Sequence, residues 1–283
     1  MITLFTIPKA FQGHNRIIQR NALQSCLKLR PKCEIILFGD DDGVAESAHE
    51  LGIKHIPVVE KNEFGTPLLS SAFSAAQKMA RNEILVYMNA DIIFLHDLTE
   101  TVKMIDQKQF LICGRRWDVD ITQELDFSDN KWAEELLFRL KSEGNLHGPS
   151  GIDYFIFRRN SVEMPPFAVG RPGWDCWLIF EMRKRGVAVI DSTETITVIH
   201  QNHDYSHSKF GEAKRVGGPE FNQNIRLAGG YKNLFTLRDA DWVLTKNGLS
   251  RPRFPRSVYS LLSLNPLWRS LLATKRAIYE KLR

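Results

Sequence analysis

The sequence predicts an α/β protein built on a mostly parallel sheet flanked by helices. Three observations carry that expectation. Short apolar runs alternate with segments of helical periodicity along roughly the first hundred residues. The runs are rich in Ile, Val and Phe and too short for buried helices. Each run ends in a polar turn, and strands alternating with helices imply βαβ units with parallel pairing.

Taken in order, Ile2–Ile7 ends at Pro8 and reads as the first strand. Asn15–Leu29 carries Ile17, Ile18, Ala22, Leu23, Cys26 and Leu27 at helical spacing. Glu34–Asp40 is a second strand, stopped by the turn Asp40-Asp41-Asp42-Gly43. Val44–Leu51 is a short helix closed by Gly52, and Ile53–Val59 is a third strand. Pro67–Ala80 reads as a helix and Ile84–Met88 as a buried strand. Ile92–Asp106 is expected to continue into a helix, followed by a strand at Phe110–Cys113 and a helix at Trp132–Ser142. Tyr154–Phe157 is strand-like, Trp174–Arg185 helical, and Val187–Ile190 and Thr195–His200 are short strands. From Gln201 to Gly230 the pattern turns polar. The apolar runs suggest a mixed sheet of about six to eight strands.

With 283 residues, 43% hydrophobic and 25% charged, the chain can bury a substantial core without staples. No stretch approaches the roughly 20 apolar residues of a membrane-spanning helix. The start, Met1 to Pro8, lacks the basic and apolar regions of a signal peptide, so a cytoplasmic location is expected. Cys26, Cys33, Cys113 and Cys176 form no CxxC pair, which argues against zinc, iron–sulfur or disulfide frameworks. The formal charge of +5 is concentrated at the end, where Arg251–Arg283 holds eight bases against the single acid Glu280. That basic stretch carries Leu261, Leu262, Leu267, Trp268, Leu271 and Leu272. It fits either a helix docking on an anionic membrane surface or one packed on protein. It lacks interleaved stacking aromatics, so no nucleic-acid partner is expected.

In open parallel sheets ligands bind beyond the carboxyl ends of the strands, which here are Thr6–Lys9, Asp40–Gly43 and Asn89–Asp91. In the last, a buried strand emerges into Asn89-Ala90-Asp91 and re-enters the apolar run Ile92-Ile93-Phe94. Oxygen donors at alternate positions suit a hard divalent ion shared with phosphate, or Asp91 caps a following helix. Asp40 is either a ligand contact or a solvated turn residue. Gly65–Ser71 opens a helix whose free N–H groups suit a diphosphate, or is an ordinary helix start. In Gly170-Arg171-Pro172-Gly173-Trp174-Asp175-Cys176-Trp177 a carboxylate sits between two indoles. That pattern fits sugar stacking beside a carboxylate, or simply an acid favoured at a helix start. His200, His203 and His207 cluster after a strand in a chain with eight histidines. Gly148–Phe155 is a glycine-rich turn entering a strand, with Asp153 either a hydroxyl partner or a turn residue.

In this order of motifs, residues 1 to about 205 resemble the GT-A glycosyltransferases, with Asn89-Ala90-Asp91 matching their DxD motif apart from Asn in its first place. The resemblance implies a GT-A (Rossmann-like) catalytic domain over 1–230. Residues 1–105 would form the nucleotide-sugar half and 106–230 the acceptor half, with a basic helical extension over 231–283. It implies donor contacts from Thr6, Pro8, Asp40 and Asn89, and a divalent metal, Mn²⁺ or Mg²⁺, on Asp91 and His200. It implies Asp175 as catalytic base in an inverting reaction, with Trp174 and Asp153 on the acceptor. If Asp175 cannot reach the acceptor hydroxyl, a retaining mechanism is the better account. A loop after His200 would close as a lid over the diphosphate. The implied partners are a UDP-sugar donor and a glycan or lipid-linked glycan acceptor. The basic tail would place the protein peripherally on the inner face of a membrane. The missing first carboxylate keeps open a non-catalytic carbohydrate-binding protein of the same fold. A nucleotidyltransferase would carry a glycine-rich basic loop where Pro8–Gly13 has one Gly and one Lys.

Overall fold

A computed structural model describes residues 1–203 and 217–252. The lid expected after His200 and His207 itself fall largely or wholly outside these residues, as does the basic tail from residue 253. Among the described residues no helix is long and apolar enough to cross a membrane.

The elements run β1 (Ile2–Thr6), α1 (Gly13–Lys28), β2 (Glu34–Phe38), α2 (Val44–Leu51), β3 (Lys54–Ile56), α3 (Leu69–Met79), β4 (Ile84–Met88), β5 (Ile92–Phe94) and α4 (Asp97–Lys103). There follow β6 (Phe110–Cys113), β7 (Trp117–Val119), α5 (Trp132–Glu143), β8 (Asn145–Leu146), β9 (Tyr154–Arg158) and α6 (Trp174–Lys184). The last are β10 (Ala188–Asp191), β11 (Val198–Gln201), α7 (Pro219–Leu227), β12 (Trp242–Thr245) and β13 (Gly248–Ser250). Nine strands form the main sheet in the order β13-β12-β10-β6-β9-β4-β1-β2-β3. β1 pairs in parallel with β2 and β4, and β10 with β6 and β12. β9 runs antiparallel between β4 and β6. A smaller sheet, β5-β11-β7-β8, stands beside it.

Period-two alternation sorts the strand side chains into two cores. Phe5 of β1 and Ile7 just after it, with Phe155 and Phe157 of β9, face α3 and α6. Ile2 and Leu4, with Tyr154 and Ile156, face α1 and α2. The helices answer with matching stripes, Ala72, Phe73 and Ala76 on α3 and Ile18, Ala22 and Cys26 on α1. At the centre of the first core Phe5 meets Phe73 edge-on at 5.0 Å and Tyr87 at 5.5 Å between ring centroids. The third core lies under α5, where Trp132, Leu136 and Leu140 cover Ile93 and Ile199 of the small sheet.

The mostly parallel α/β architecture matches the expectation, and three differences have physical causes. Ile92–Phe94 is β5, since its buried apolar triplet pairs antiparallel with β11, and the helix starts only at Asp97. Among the described residues the main sheet has nine strands because β12 and β13 add to its edge. They occupy residues expected within the helical extension from 231, so the sheet reaches Ser250. β7, with only three residues, has no periodicity of its own and is set by pairing with β11 and β8.

Phe5 is fully buried among aromatic rings. Phe5→Ala is therefore expected to cost ~3–5 kcal/mol by leaving a cavity, read as a lowered denaturant midpoint with an unchanged slope.

Candidate active site

The parallel pairing of β1, β2 and β4 brings their carboxyl ends to one edge, and the antiparallel β9 presents its start there. A cleft of about 640 Å³ opens at that edge. Its walls include Pro8 and Lys9 after β1, Asp41 after β2, Asn89 and Asp91 after β4, and Asp153 before β9. Asn15, Ile18 and Gln19 of α1 close one side, and Phe64–Pro67, Arg171 and Glu220 the other. Gln19, buried, holds the turn after β1 by accepting from the Lys9 N–H (2.7 Å) and donating to the Lys9 carbonyl (3.0 Å).

At the cleft floor Asp91, His200 and His203 offer three donor atoms within 4.8 Å of one another. His203 Nε2 lies 3.1 Å and His200 Nε2 3.8 Å from Asp91 Oδ2. The small sheet makes this meeting. Register sets His200 beside Ile92 on β5 and beside Asp118 on β7. Gln201, the next residue, donates from its main-chain N–H and its Nε2 to the Asp91 carbonyl (3.2 and 3.1 Å). The same amide reaches Ile18 O at 2.7 Å and accepts from Asn21 Nδ2 at 2.9 Å, locking Asp91 to α1. Asp91 Oδ1 is buried without a hydrogen-bond partner among the described residues, which is costly unless a cation faces it. One carboxylate and two imidazoles therefore fit a divalent ion, and the nitrogen donors suit a transition metal better than Mg²⁺.

A second layer of charge lies behind. Asp118 contacts His200 Nδ1 with one oxygen (3.2 Å) and His147 Nδ1 with the other (2.7 Å). Arg116 joins Asp118 (Nε, 2.9 Å) to Asp153 (Nη1, 2.5 Å), and Asn89 Nδ2 donates to the other Asp153 oxygen at 2.7 Å. Gly151 permits the approach of His147, since a Cβ there would lie 2.1 Å from the imidazole. Burial pushes the Asp91 and Asp118 carboxyls up, but the surrounding histidines, with Arg116 at Asp118, outweigh it and hold both well below the usual range. Burial opposes the charged form of His200, yet Asp118 and Asp91 raise it above its ordinary value.

Of the residues expected from sequence, Pro8, Asn89, Asp91, Asp153 and His200 line the cleft together. Asp153 is buried with both oxygens engaged, as the partner of Asn89 and Arg116. Thr6 is buried at the end of β1. Asp40 is exposed and paired with Lys61 at 2.6 Å, while its neighbour Asp41 lines the cleft. The Trp174 ring is buried against Tyr87 and Phe155 and forms no part of the cleft wall. Asp175 also lies behind the wall, in the first turn of α6, which Gly173 enters at φ +109°. Its Oδ1 accepts from the N–H groups of Cys176 (2.8 Å) and Gly173 (3.2 Å). Burial raises the Asp175 carboxyl, and the nearby Asp153 adds to the rise.

Sequence reading missed Asp118, Arg116, His147 and Glu220. Arg116 and Asp118 stand at alternate positions just past the buried strand Phe110–Cys113, and that was the available signal. Glu220 is buried on α7, where it accepts from Arg171 (2.6 Å) and Asn62 (2.7 Å) and ties the far wall together. Nothing in its polar surroundings marks it.

No family model and no curated protein sequence matches the chain. Among solved structures it is similar to S. aureus TarS, with 13% identity, a TM-score of 0.49, and coverage of 80% of this chain and 38% of TarS. It is also similar to glucosyl-3-phosphoglycerate synthase from Mycobacterium tuberculosis in complex with Mg²⁺ and UDP, with 14% identity, a TM-score of 0.45, and coverage of 81% and 80%. A third is the mannosyltransferase PcManGT from Pyrobaculum calidifontis in complex with GDP-Man and Mn²⁺, with 14% identity, a TM-score of 0.44, and coverage of 98% and 79%. The chain thus spans well under half the length of TarS.

Gln201→Ala strips partners from Asn21, Ile18 O and Asp91 O in a fully buried setting. The expected loss is roughly 1–3 kcal/mol of stability, measured by urea denaturation.

Proposed function

We propose that the chain is a metal-dependent glycosyltransferase of the GT-A type. It would move a sugar from a nucleoside diphosphate sugar, a UDP-sugar first among them, to a hydroxyl of a glycan or lipid-linked glycan. The observation that carries this is the convergence of Asp91, His200 and His203 on the floor of a cleft at the carboxyl edge of a parallel sheet. The cleft volume is in the range that encloses a small organic ligand. Pro8, Lys9 and Asp41 lie along the edge beside Asp91 and supply a wall for the nucleoside.

Asp91, His200 and His203 are the residues that would hold the metal, with Mn²⁺ favoured over Mg²⁺ by the two imidazoles. A bound divalent ion supplies charge neutralisation for a leaving diphosphate. The protein's own part is to position it. Gln201 fixes the Asp91 backbone, and Asn89 and Arg116 orient Asp153 at the cleft wall. Asp175 is proposed as the base that takes the acceptor proton, giving inversion. Its raised pKa, from burial and the nearby Asp153, makes the carboxylate a stronger base. Because Asp175 stands behind the cleft wall, the base role requires that wall to shift, and without such a shift the retaining mechanism is the better account.

A thermal-shift series with UDP, GDP, CDP and CMP tests the donor site. One diphosphate should raise the melting temperature by several degrees with Mn²⁺ and less with Mg²⁺, and Asp91→Ala should abolish the effect. If no nucleotide shifts the melt, the non-catalytic carbohydrate-binding alternative takes over.

For the base, Asp175→Asn should lower kcat by about 10²–10⁴ while leaving metal-dependent nucleotide binding intact. The base works deprotonated and its pKa is raised. Wild-type activity should therefore fall, as pH drops, at a pH above the ordinary carboxylate range. Retention of anomeric configuration, read by NMR of the first product, would replace inversion with the retaining mechanism.

A further inference from the structure

We propose that Asp118 is the positioning residue of this metal centre. Its carboxylate oxygen, 3.2 Å from His200 Nδ1 though not aligned as a hydrogen bond, favours by its charge the tautomer that carries the proton on Nδ1 and leaves Nε2 free to bind the ion. The inference rests on Asp91, His200 and His203 being metal ligands and goes beyond it by assigning what orients them.

Asp118 sits on β7, in parallel register with His200 on β11, so the two side chains meet because the backbones are paired. Its Oδ1 lies 3.2 Å from His200 Nδ1, on the side of the ring away from Asp91, while His200 Nε2 lies 3.8 Å from Asp91 Oδ2. The imidazole is 4% exposed as a residue, so it has no room to turn into solvent. An imidazole whose far nitrogen faces a carboxylate is the arrangement that holds a metal-binding histidine in one tautomer and raises its basicity. Asp118 is itself held from two other directions. Arg116 Nε donates to Oδ1 at 2.9 Å, and His147 Nδ1 lies 2.7 Å from Oδ2. Arg116 continues to Asp153, which takes the Asn89 amide. The carboxylate that orients His200 is thus part of the chain of bonds that holds Asn89 at the other end of the Asn-x-Asp motif. In a chain where that first position carries no charge, Asp118 is the residue through which a second acid acts on the metal.

The test measures Mn²⁺ binding to the whole protein without nucleotide, by titration calorimetry. It compares wild type with Asp118→Ala, Asp118→Asn and His147→Ala. Asp118→Ala should bind Mn²⁺ roughly 10–100-fold more weakly. Asp118→Asn keeps an acceptor oxygen and should recover part of that loss. His147→Ala removes one of the two groups that hold Asp118 and should weaken Mn²⁺ binding, but by less than Asp118→Ala does. In ¹⁵N-correlated NMR of the metal-free proteins, His200 should carry its proton on Nδ1 in wild type and in Asp118→Asn. That signal stays readable even if Asp118→Ala fails to fold. Unchanged Mn²⁺ affinity in a folded Asp118→Ala, or an Nε2–H tautomer of His200 in wild type, overturns the role of Asp118. A wild type that does not bind Mn²⁺ at all overturns the metal centre itself, which is a separate result.

Discussion

The site depends on the pairing of β11 between β5 and β7. In β11, His200 faces the cleft while Ile199 packs in the core under α5. Side chains alternate across a sheet, so a slip of one residue would carry Ile199 to the cleft side and bury His200 among Trp132 and Leu136. The apolar stripe of α5 thus protects the register, and the register places the imidazole. Gln201 adds a second lock, because its amide bonds form only when the strand is in this position.

The electrostatics of the cleft account for the asparagine where the resemblance leads one to expect an acid. Asn89 Nδ2 donates to Asp153 at 2.7 Å, and the main-chain N–H of Asn89 donates to the Asp153 carbonyl at 2.9 Å. An aspartate at position 89 would set two carboxylates at hydrogen-bond distance in a half-buried site, and one of them would have to stay protonated. Asp153 is already committed to Arg116, so the amide is the compatible neighbour. The departure from the DxD pattern and the presence of Asp153 are one feature seen from two strands. In the same way Asp91, Asp118 and Asp153 are tolerable at the floor because His200, His203 and Arg116 stand between them.

The parallel half of the fold was legible because β1, β2 and β4 are apolar runs buried on both faces, with helices of clear periodicity between them. Asp91 and His200 were legible as polar groups at the ends of such strands. Tertiary pairing rather than local pattern decided the rest. β5 was hidden in an apolar stretch that suits a helix equally well, and β7 is three residues whose pairing partner lies about eighty positions on, a separation that periodicity cannot register. Asp118 was hidden with it. Asp40 is held by Lys61 at 2.6 Å, a contact made from beyond the third strand that sequence pattern does not show, while Asp41, 3.8 Å from the same lysine, lines the cleft. Trp174 looked like a stacking surface and is a core residue, since an indole next to a helix start looks the same in sequence whether it faces inward or outward.

The bond between Gln201 and Asp91 spans 110 positions of chain, and that between His203 and Asp91 spans 112. Contacts so distant in sequence form late, because the intervening chain must be ordered before they contribute. A nascent chain that has folded only β1 to β4 would own the cleft edge after β1 and β2 and neither His200 nor His203. In the proposed metal centre, ion binding would therefore act as a completeness signal, since only a chain that has closed its second sheet brings His200 and His203 to Asp91.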